Sequence, residues 1–280
     1  MSRTFTVSGR SSSFSAIVHP PLLLDTERYE YTLALRSFVS CNSIPNVEVG
    51  VNSRMYVTPR TNASIPPVTH IFDLPDGSYE IEHLELAIRE KLKLLLSEDE
   101  EREKKLRESL EPYLPEYGDP PNPESIFSLK PDNSTLKCRM KSDLFDIDFT
   151  ASDTPAAMLG FSNRVYKAAE LHESDRAVDI VRTLSLHIET NLTTGAYLNG
   201  RLGHVIYEFT PMADPGFIIR EEPRTPTYLP LIDGKTLIDN ISICIRNQDS
   251  EPVNFRGEKV VIRLELRKVP RPYVGHHQTY

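Results

Sequence analysis

The sequence predicts an all-β protein whose strands form an antiparallel two-sheet sandwich. About ten short segments are rich in β-branched and aromatic residues, and several alternate apolar with polar side chains, as strands with one buried face do. These segments do not alternate with long helices, which argues against a parallel α/β fold. The 22 prolines, against 12 glycines in 280 residues, fit many short strands separated by turns.

Five of the predicted strands lie in the N-terminal half of the chain. Each is short and rich in residues that suit a pleated, half-buried surface. These strands cover residues 29–35, 53–57, 68–72, 135–140 and 145–149.

A helical period replaces the β pattern over residues 81–111. Apolar residues recur there at spacings of three and four, which places them on one face of an amphipathic helix: Leu84, Ile88, Leu92 and Leu95. The continuation over 97–111 is dominated by charges and is either a solvated helix held by i,i+4 pairs of opposite sign or a partly disordered insertion, and we favour a helix that projects into solvent. Because a proline-rich stretch then ends the helix, we predict a helical, charged insertion over 81–123.

The strand pattern is clearest in the C-terminal half. Leu184, Leu186 and Ile188 alternate with polar neighbours, so one face of the strand at 183–189 is predicted to be buried. Four further strands are predicted at 205–209, 217–220, 238–245 and 259–266.

The two ends of the chain are predicted to lie outside the sandwich domain, which we place at 25–269. We interpret residues 1–24 as an N-terminal arm and residues 270–280 as a C-terminal tail, and both are candidates for contacts between chains. The first ten residues are polar and lack the apolar core of a secretory signal. No apolar run reaches the roughly 18–20 residues that a membrane-spanning helix needs. The protein is therefore expected to stay inside the cell that makes it.

Charge and cysteine content restrict the classes of partner. The formal net charge of -8 argues against tight wrapping of nucleic acid, because binding to phosphates depends on clustered Lys and Arg. Any contact with nucleic acid is expected to be weak or absent. Cys41, Cys138 and Cys244 are odd in number and widely spaced, so we interpret them as buried small apolar residues rather than as zinc or redox pairs.

The histidines do not follow the pattern of a metal site. A sandwich enzyme of the cupin type needs two His two residues apart on a strand, with a Glu and another His downstream. His187 and His204 stand alone, and the neighbours His276 and His277 would point to opposite sides of an extended chain. We predict no metal ligands.

Other catalytic motifs are missing as well. The chain has no Gly-x-Ser-x-Gly elbow and no phosphate-binding loop ending in Lys-Ser or Lys-Thr. The carboxylate pairs Asp146 with Asp148 and Glu221 with Glu222 are interpreted as solvated side chains. The sequence thus predicts no catalytic or cofactor-binding residues, no cofactor and no enzyme activity.

A series of short motifs runs in a fixed order through residues 191–266. It comprises Gly195-Ala-Tyr-Leu-Asn-Gly200, Val205-Ile-Tyr-Glu-Phe-Thr-Pro211, Pro215-Gly216, Glu222-Pro223, Tyr228-Leu-Pro230, the strand around Ile241, Ile243 and Ile245, Asn247-Gln248-Asp249, Phe255-Arg-Gly-Glu258 and Ile262-Arg-Leu-Glu-Leu-Arg267. In this order the series resembles the minor capsid proteins of Polinton (Maverick) mobile elements, which are penton-type proteins.

This resemblance implies a single jelly roll and a structural role. It implies a homopentamer at the vertices of an icosahedral, virus-like capsid, with a double jelly-roll major capsid protein as the second partner. It further implies a location in the virion and no membrane contact.

Two other classes of function remain open from the sequence. A cellular jelly-roll binding module, of lectin or cytokine type, predicts a secreted trimer or monomer with disulfides or a bound ligand. A cupin-type metalloenzyme predicts a bound metal ion.

Overall fold

The structure, a computed structural model, describes residues 2–60, 68–95, 122–198 and 200–271. The chain forms two compact units, each with its own hydrophobic core. The first unit combines the two ends of the chain, Met1–Ile44 and Thr183–Tyr280, and the second unit is the intervening Pro45–Arg182.

The described residues are mostly strands, with two helices, α1 (Ile81–Leu95) and the single turn α2 (Pro123–Ile126). In chain order the strands are β1 (Ser2–Gly9), β2 (Ser13–Leu23), β3 (Tyr29–Cys41), β4 (Arg54–Pro59), β5 (His70–Asp73), β6 (Ser128–Asp132), β7 (Lys137–Lys141), β8 (Phe145–Asp148), β9 (Val165–Tyr166), β10 (Leu171–Glu173), β11 (Leu186–Thr190), β12 (Ala196–Leu198), β13 (Arg201–Gly203), β14 (Val205–Phe209), β15 (Ile218–Glu221), β16 (Leu229–Pro230), β17 (Leu237–Arg246) and β18 (Val260–Pro270).

Nine strands of the first unit form two sheets, of which eight are the strands of the jelly roll and the ninth, β16, is a short addition to one sheet. Sheet A has the order β1-β18-β3-β15, with β16 also pairing with β3, and sheet B has the order β14-β11-β17-β2. Antiparallel pairing joins the first strand to the last, β1 to β18, and then β2 to β17, β3 to β15 and β11 to β14. This is a long hairpin wound upon itself, with the windings joined through β18–β3 and β17–β11. The predicted antiparallel two-sheet jelly roll is confirmed.

The core of the jelly roll lies between the two sheets. Along β18 every second side chain is buried, from Val260 to Leu266, because alternate residues of a strand point to opposite faces. The ring of Phe38 in sheet A lies 5.1 Å from that of Phe209 in sheet B. Each fully buried side chain of this size contributes about 1.5–3 kcal/mol to stability, so the closed sandwich is held mainly by apolar contact.

The second unit contains two smaller antiparallel sheets, with the orders β5-β4-β8-β9 and β10-β7-β6. Its core includes an aromatic cluster in which Tyr166 lies 5.7 Å from Phe149 and 5.1 Å from Phe161, measured between ring centroids. The Tyr166 hydroxyl is buried with the rings and donates a hydrogen bond to the carbonyl of Ser162 at 3.1 Å. The unit therefore has an interior of its own.

The predicted amphipathic helix is present as α1. Leu84, Ile88 and Leu92 are fully buried in the core of the second unit, and Leu95 packs against the same core. The charged continuation over 97–111 lies outside the described residues. None of the described helices is long and apolar enough to cross a membrane.

The N-terminal boundary differs from the prediction. Residues predicted as an arm, 1–24, supply two of the eight jelly-roll strands, because β1 pairs with β18 and β2 pairs with β17. Phe5 and Val7 of β1 face the core, and Phe14, Ala16, Val18 and Leu22 of β2 pack against it. Because serine and threonine lie between these apolar residues, the segment is polar on average, and its alternating strand pattern was not recognised in the sequence. The predicted tail beyond Arg271 lies outside the described residues.

The domain division also differs from the prediction of one unit over 25–269 with an insertion at 81–123. The segment that interrupts the jelly roll between β3 and β11 is the whole second unit, Pro45–Arg182. Four of the five strands predicted in the N-terminal half belong to this unit, because they are β4, β5, β7 and β8.

Candidate functional site

The two histidines considered as metal ligands are held by local contacts in the first unit. His187 of β11 is buried, with Nε2 3.0 Å from Ser185 Oγ and 3.3 Å from a carboxylate oxygen of Glu208. His204 Nδ1 lies 2.8 Å from the carbonyl oxygen of Thr193. Across the described part of the chain, no three His, Cys, Asp or Glu side chains are grouped in a way that could hold a metal ion. His276 and His277 lie outside that part.

The three cysteines differ in burial. Cys138 of β7 is fully buried, and burial raises the pKa of its thiol to about 12, with Glu85 and Glu82 adding to the shift. Cys41 and Cys244 are only half-buried. The prediction of a buried residue therefore fails for these two, since Cys41 ends β3 and Cys244 faces outward between the inward-facing Ile243 and Ile245.

The carboxylate pairs stabilise local structure. Asp146 accepts hydrogen bonds from Lys167 Nζ at 2.7 Å and from the N–H of Ala168 at 2.8 Å. Glu221 accepts a hydrogen bond from the Tyr207 hydroxyl at 2.9 Å, and burial together with this carboxylate raises the pKa of Tyr207. Glu222, directly after β15, accepts hydrogen bonds from Arg220 of that strand. Asp148 accepts hydrogen bonds from Thr150, so each of the four carboxylates has a local partner.

Two clefts open on the first unit. One, of about 550 Å³, is lined by the chain around Tyr29–Tyr31 and around Pro230–Lys235. Its Tyr29 ring is covered by Lys268 Nζ, 3.5 Å from the ring centroid. The other, of about 320 Å³, includes Glu189 and the buried Thr190 hydroxyl, which has no hydrogen-bond partner among the described residues. Glu189 is bound by Arg246 Nε at 3.2 Å, so its charge is already compensated.

The most distinctive surface of the jelly roll is formed by the open edges of its two sheets. β1 ends sheet A and β2 ends sheet B, and the two strands lie against each other. We call residues 2–23 the β1/β2 side. Ile17 and Leu23 are 86% and 79% exposed there. Sandwich proteins that do not associate usually avoid exposed apolar side chains on an open edge.

The opposite edges, β15 of sheet A and β14 of sheet B, form a second lateral side. The hydrogen bond from Tyr207 to Glu221 joins these two strands. We call residues 205–222 the β14/β15 side. It exposes Met212, Phe217 and Ile218, which are 87%, 67% and 68% accessible to solvent. Each lateral side therefore combines unpaired strand edges with apolar side chains.

A small hairpin, β12–β13, precedes the β14/β15 side. Tyr197 and Leu202 lie opposite each other across it, and both are exposed. Gly200 in its turn has a φ of 77°, a left-handed value that glycine adopts without strain. The hairpin therefore presents an exposed apolar pair, Tyr197 and Leu202, next to a turn that contains this glycine.

No protein-family model and no curated protein matches this chain. Among solved structures, the chain is similar to the penton protein of mavirus, with 12% sequence identity, coverage of 96% of this chain and 99% of that chain, and a TM-score of 0.47. A fainter similarity, to two domains of the flagellar cap protein of Escherichia coli, has 10% identity, covers 88% of this chain and 100% of that chain, and has a TM-score of 0.16. The fold assignment rests on the strand order and pairing of the chain itself.

Proposed function

We propose that this protein is a structural capsid protein, five copies of which form a ring at the vertices of an icosahedral capsid. On this proposal the capsid belongs to a Polinton-type mobile element, and the ring docks among double jelly-roll major capsid proteins. The protein acts in the virion through its contacts and not by turnover of a substrate.

The observation that carries the proposal is the pair of open lateral sides on a single jelly roll. A closed ring needs two different patches on each chain that meet head to tail. The β1/β2 side and the β14/β15 side are two such patches, at opposite edges of the same sandwich. Both expose apolar side chains that a partner would cover.

The jelly roll is shared by viral capsid domains, lectins and cupins, so the fold alone does not select among them. The ordered motifs between Gly195 and Arg267 support the capsid assignment, because they resemble those of Polinton minor capsid proteins.

The interior of the sandwich favours a structural role over a cupin-type one. A cupin-type site needs metal ligands on inward-facing positions. The inward-facing positions of the central strands of sheet B are instead apolar and fully buried, as at Leu186, Ile188, Ile243 and Ile245. Such a filled core stabilises the sandwich and leaves its edges for assembly.

Imaging of the purified protein tests the proposal. Negative-stain class averages of the full chain should show closed rings with fivefold symmetry. Co-expression with a double jelly-roll major capsid protein should then place the chain in sedimenting particles. Trimeric or dimeric class averages would contradict the pentamer, and exclusion from particles that the major protein forms would contradict the vertex role.

A further inference from the structure

The two lateral sides of the jelly roll carry opposite charge. The β1/β2 side, residues 2–23, contains two arginines, Arg3 and Arg10, and no acidic residue. The β14/β15 side, residues 205–222, contains four acidic residues and one arginine. Opposite net charge on two patches of one chain favours contact between unlike patches of neighbouring copies.

The strand β2 of the β1/β2 side has only part of the usual protection of an open edge, which is Pro20 and Pro21 near its C-terminal end. Natural sandwiches place charged side chains on long edge strands to prevent pairing with another chain. The 11 residues of β2 include no charged Lys, Arg, Asp or Glu, and Ile17 stands out into solvent. Within the described residues β2 pairs with β17 alone. Pro20 and Pro21 have no N–H to offer, so the stretch whose other edge is open to a partner is Ser13 to Val18.

The β14/β15 side offers matching features. Ile218 and Phe217 are exposed at the start of the edge strand β15, and Met212 is exposed in the loop that precedes it. The acidic groups lie around this apolar set, with Glu208 on β14, Asp214 in the loop and Glu222 after β15. Arg220, the single basic residue of this side, is neutralised by Glu222 at 2.7 Å.

From these features we infer that the β1/β2 side of one copy binds the β14/β15 side of the next copy, head to tail, through apolar contact framed by opposite charges. This inference rests on the proposed function and adds to it the surface by which the copies meet. Because unlike patches meet, every copy uses both sides, and the contacts form a ring when the rotation from one copy to the next closes at five, as the proposed function requires.

A cysteine cross-linking experiment on the full chain separates head-to-tail from symmetric contact. Cys41→Ser and Cys244→Ser remove the half-buried thiols, and Ile17→Cys and Ile218→Cys then place one thiol on each side. With a short bismaleimide, the chain carrying both new cysteines should give a ladder that ends at the full ring. Each chain with one new cysteine should stay monomeric, since a head-to-tail contact never brings two identical residues together.

Charge reversal gives an independent readout by light scattering. Arg3→Glu lowers the net charge of the β1/β2 side from +2 to 0, and Asp214→Arg changes that of the β14/β15 side from -3 to -1. Either change weakens the attraction between the two sides and should raise the concentration needed for half assembly by about tenfold or more. Arg176→Glu, an exposed arginine of the second unit, is the matched control and should assemble as the parent does.

The outcomes distinguish the inference from the proposed function. Suppose that rings form, that the chain with both new cysteines gives no cross-linked ladder, and that neither charge reversal changes assembly. This result would overturn the inference about the contacting sides and would leave the proposed pentameric ring in place. Dimers from a chain with one new cysteine would also overturn it, because they indicate a symmetric contact. A parent chain that stays monomeric at every concentration would overturn both the inference and the proposed ring.

Discussion

Phe38 offers the sharpest test of the sandwich, because its ring bridges the two sheets. It is fully buried on β3, with its ring centroid 5.1 Å from that of Phe209 and 6.3 Å from that of Phe255. Phe38→Ala removes the ring and leaves a cavity between the sheets. Such buried changes cost about 3–5 kcal/mol of unfolding free energy, a large share of the total stability of most domains.

Urea unfolding followed by far-UV circular dichroism measures this loss. With an m-value of about 3 kcal/mol per M, a loss of about 4 kcal/mol lowers the midpoint of the first unit by about 1.3 M. The matched control is Phe217→Ala, the same chemical change at a ring that is 67% exposed, and it should cost less than about 1 kcal/mol. Equal losses for the two variants, or a loss below about 1 kcal/mol for Phe38→Ala, would refute the packing of sheet A on sheet B.

Four further results are expected for Cys138, Gly160 and Asp132 of the second unit. A thiol reagent at about pH 8 should modify Cys41 and Cys244 well before Cys138, because burial raises the Cys138 pKa to about 12 and the thiolate is the reactive form; three equally fast thiols would contradict this. The raised pKa of Cys138 also makes the free energy of unfolding depend on pH. The stabilising contribution of the protonated thiol is fully present below the ordinary pKa of 9.0, and it should be lost as the pH rises toward about 12. Gly160→Ala should cost more than the roughly 1–2 kcal/mol of a left-handed residue, since its Cβ would lie 2.3 Å from the Arg176 carbonyl oxygen. The control Gly50→Ala, also at positive φ but with nothing within 4 Å, should cost only that amount in thermal or urea unfolding. The N–H groups of Ser134 and Thr135 lower the pKa of Asp132 below 3.8, so its stabilising effect is present above that pH and is lost as the pH falls through the lowered pKa. The Asp132→Asn variant should therefore lose less unfolding free energy on acidification than the parent chain does. An equal loss in the two proteins would show that Asp132 does not contribute to the acid sensitivity of the parent.

The C-terminal strands could be predicted from the sequence because their alternation is nearly pure. In β17 and β18, isoleucine, leucine and valine occupy the inward positions and polar residues the outward ones, so period and burial agree. The helix α1 was predictable for the same reason, since Leu84, Ile88 and Leu92 share one buried face.

The N-terminal strands and the second unit could not be delimited in this way. In β1 and β2 the inward residues are few and the outward ones are mostly serine and threonine, so the segment resembles a solvated arm until its pairing with β18 and β17 is known. Strands such as β4 and β8 have the same local pattern as jelly-roll strands. Their assignment to a separate core depends on pairing between distant residues, which local periodicity does not encode.

The lateral sides illustrate a similar limit. Ile17 and Ile218 are exposed because they lie on the outward faces of β2 and β15. They lie at the lateral edges because these strands end the two sheets, and strand order is a property of the fold rather than of a short segment. The opposite charge of the two segments can be counted from the sequence. It indicates a contact between copies only when the fold places the two segments at opposite edges of one sandwich.

The absolute mass of the purified full chain in solution, measured by multi-angle light scattering over a range of concentrations, tests the central claim most directly. We expect a mass five times the 31.8 kDa of one chain, constant across the upper part of that range. A stable mass three times that of the chain, or a mass that stays at one chain throughout, would contradict the pentameric vertex.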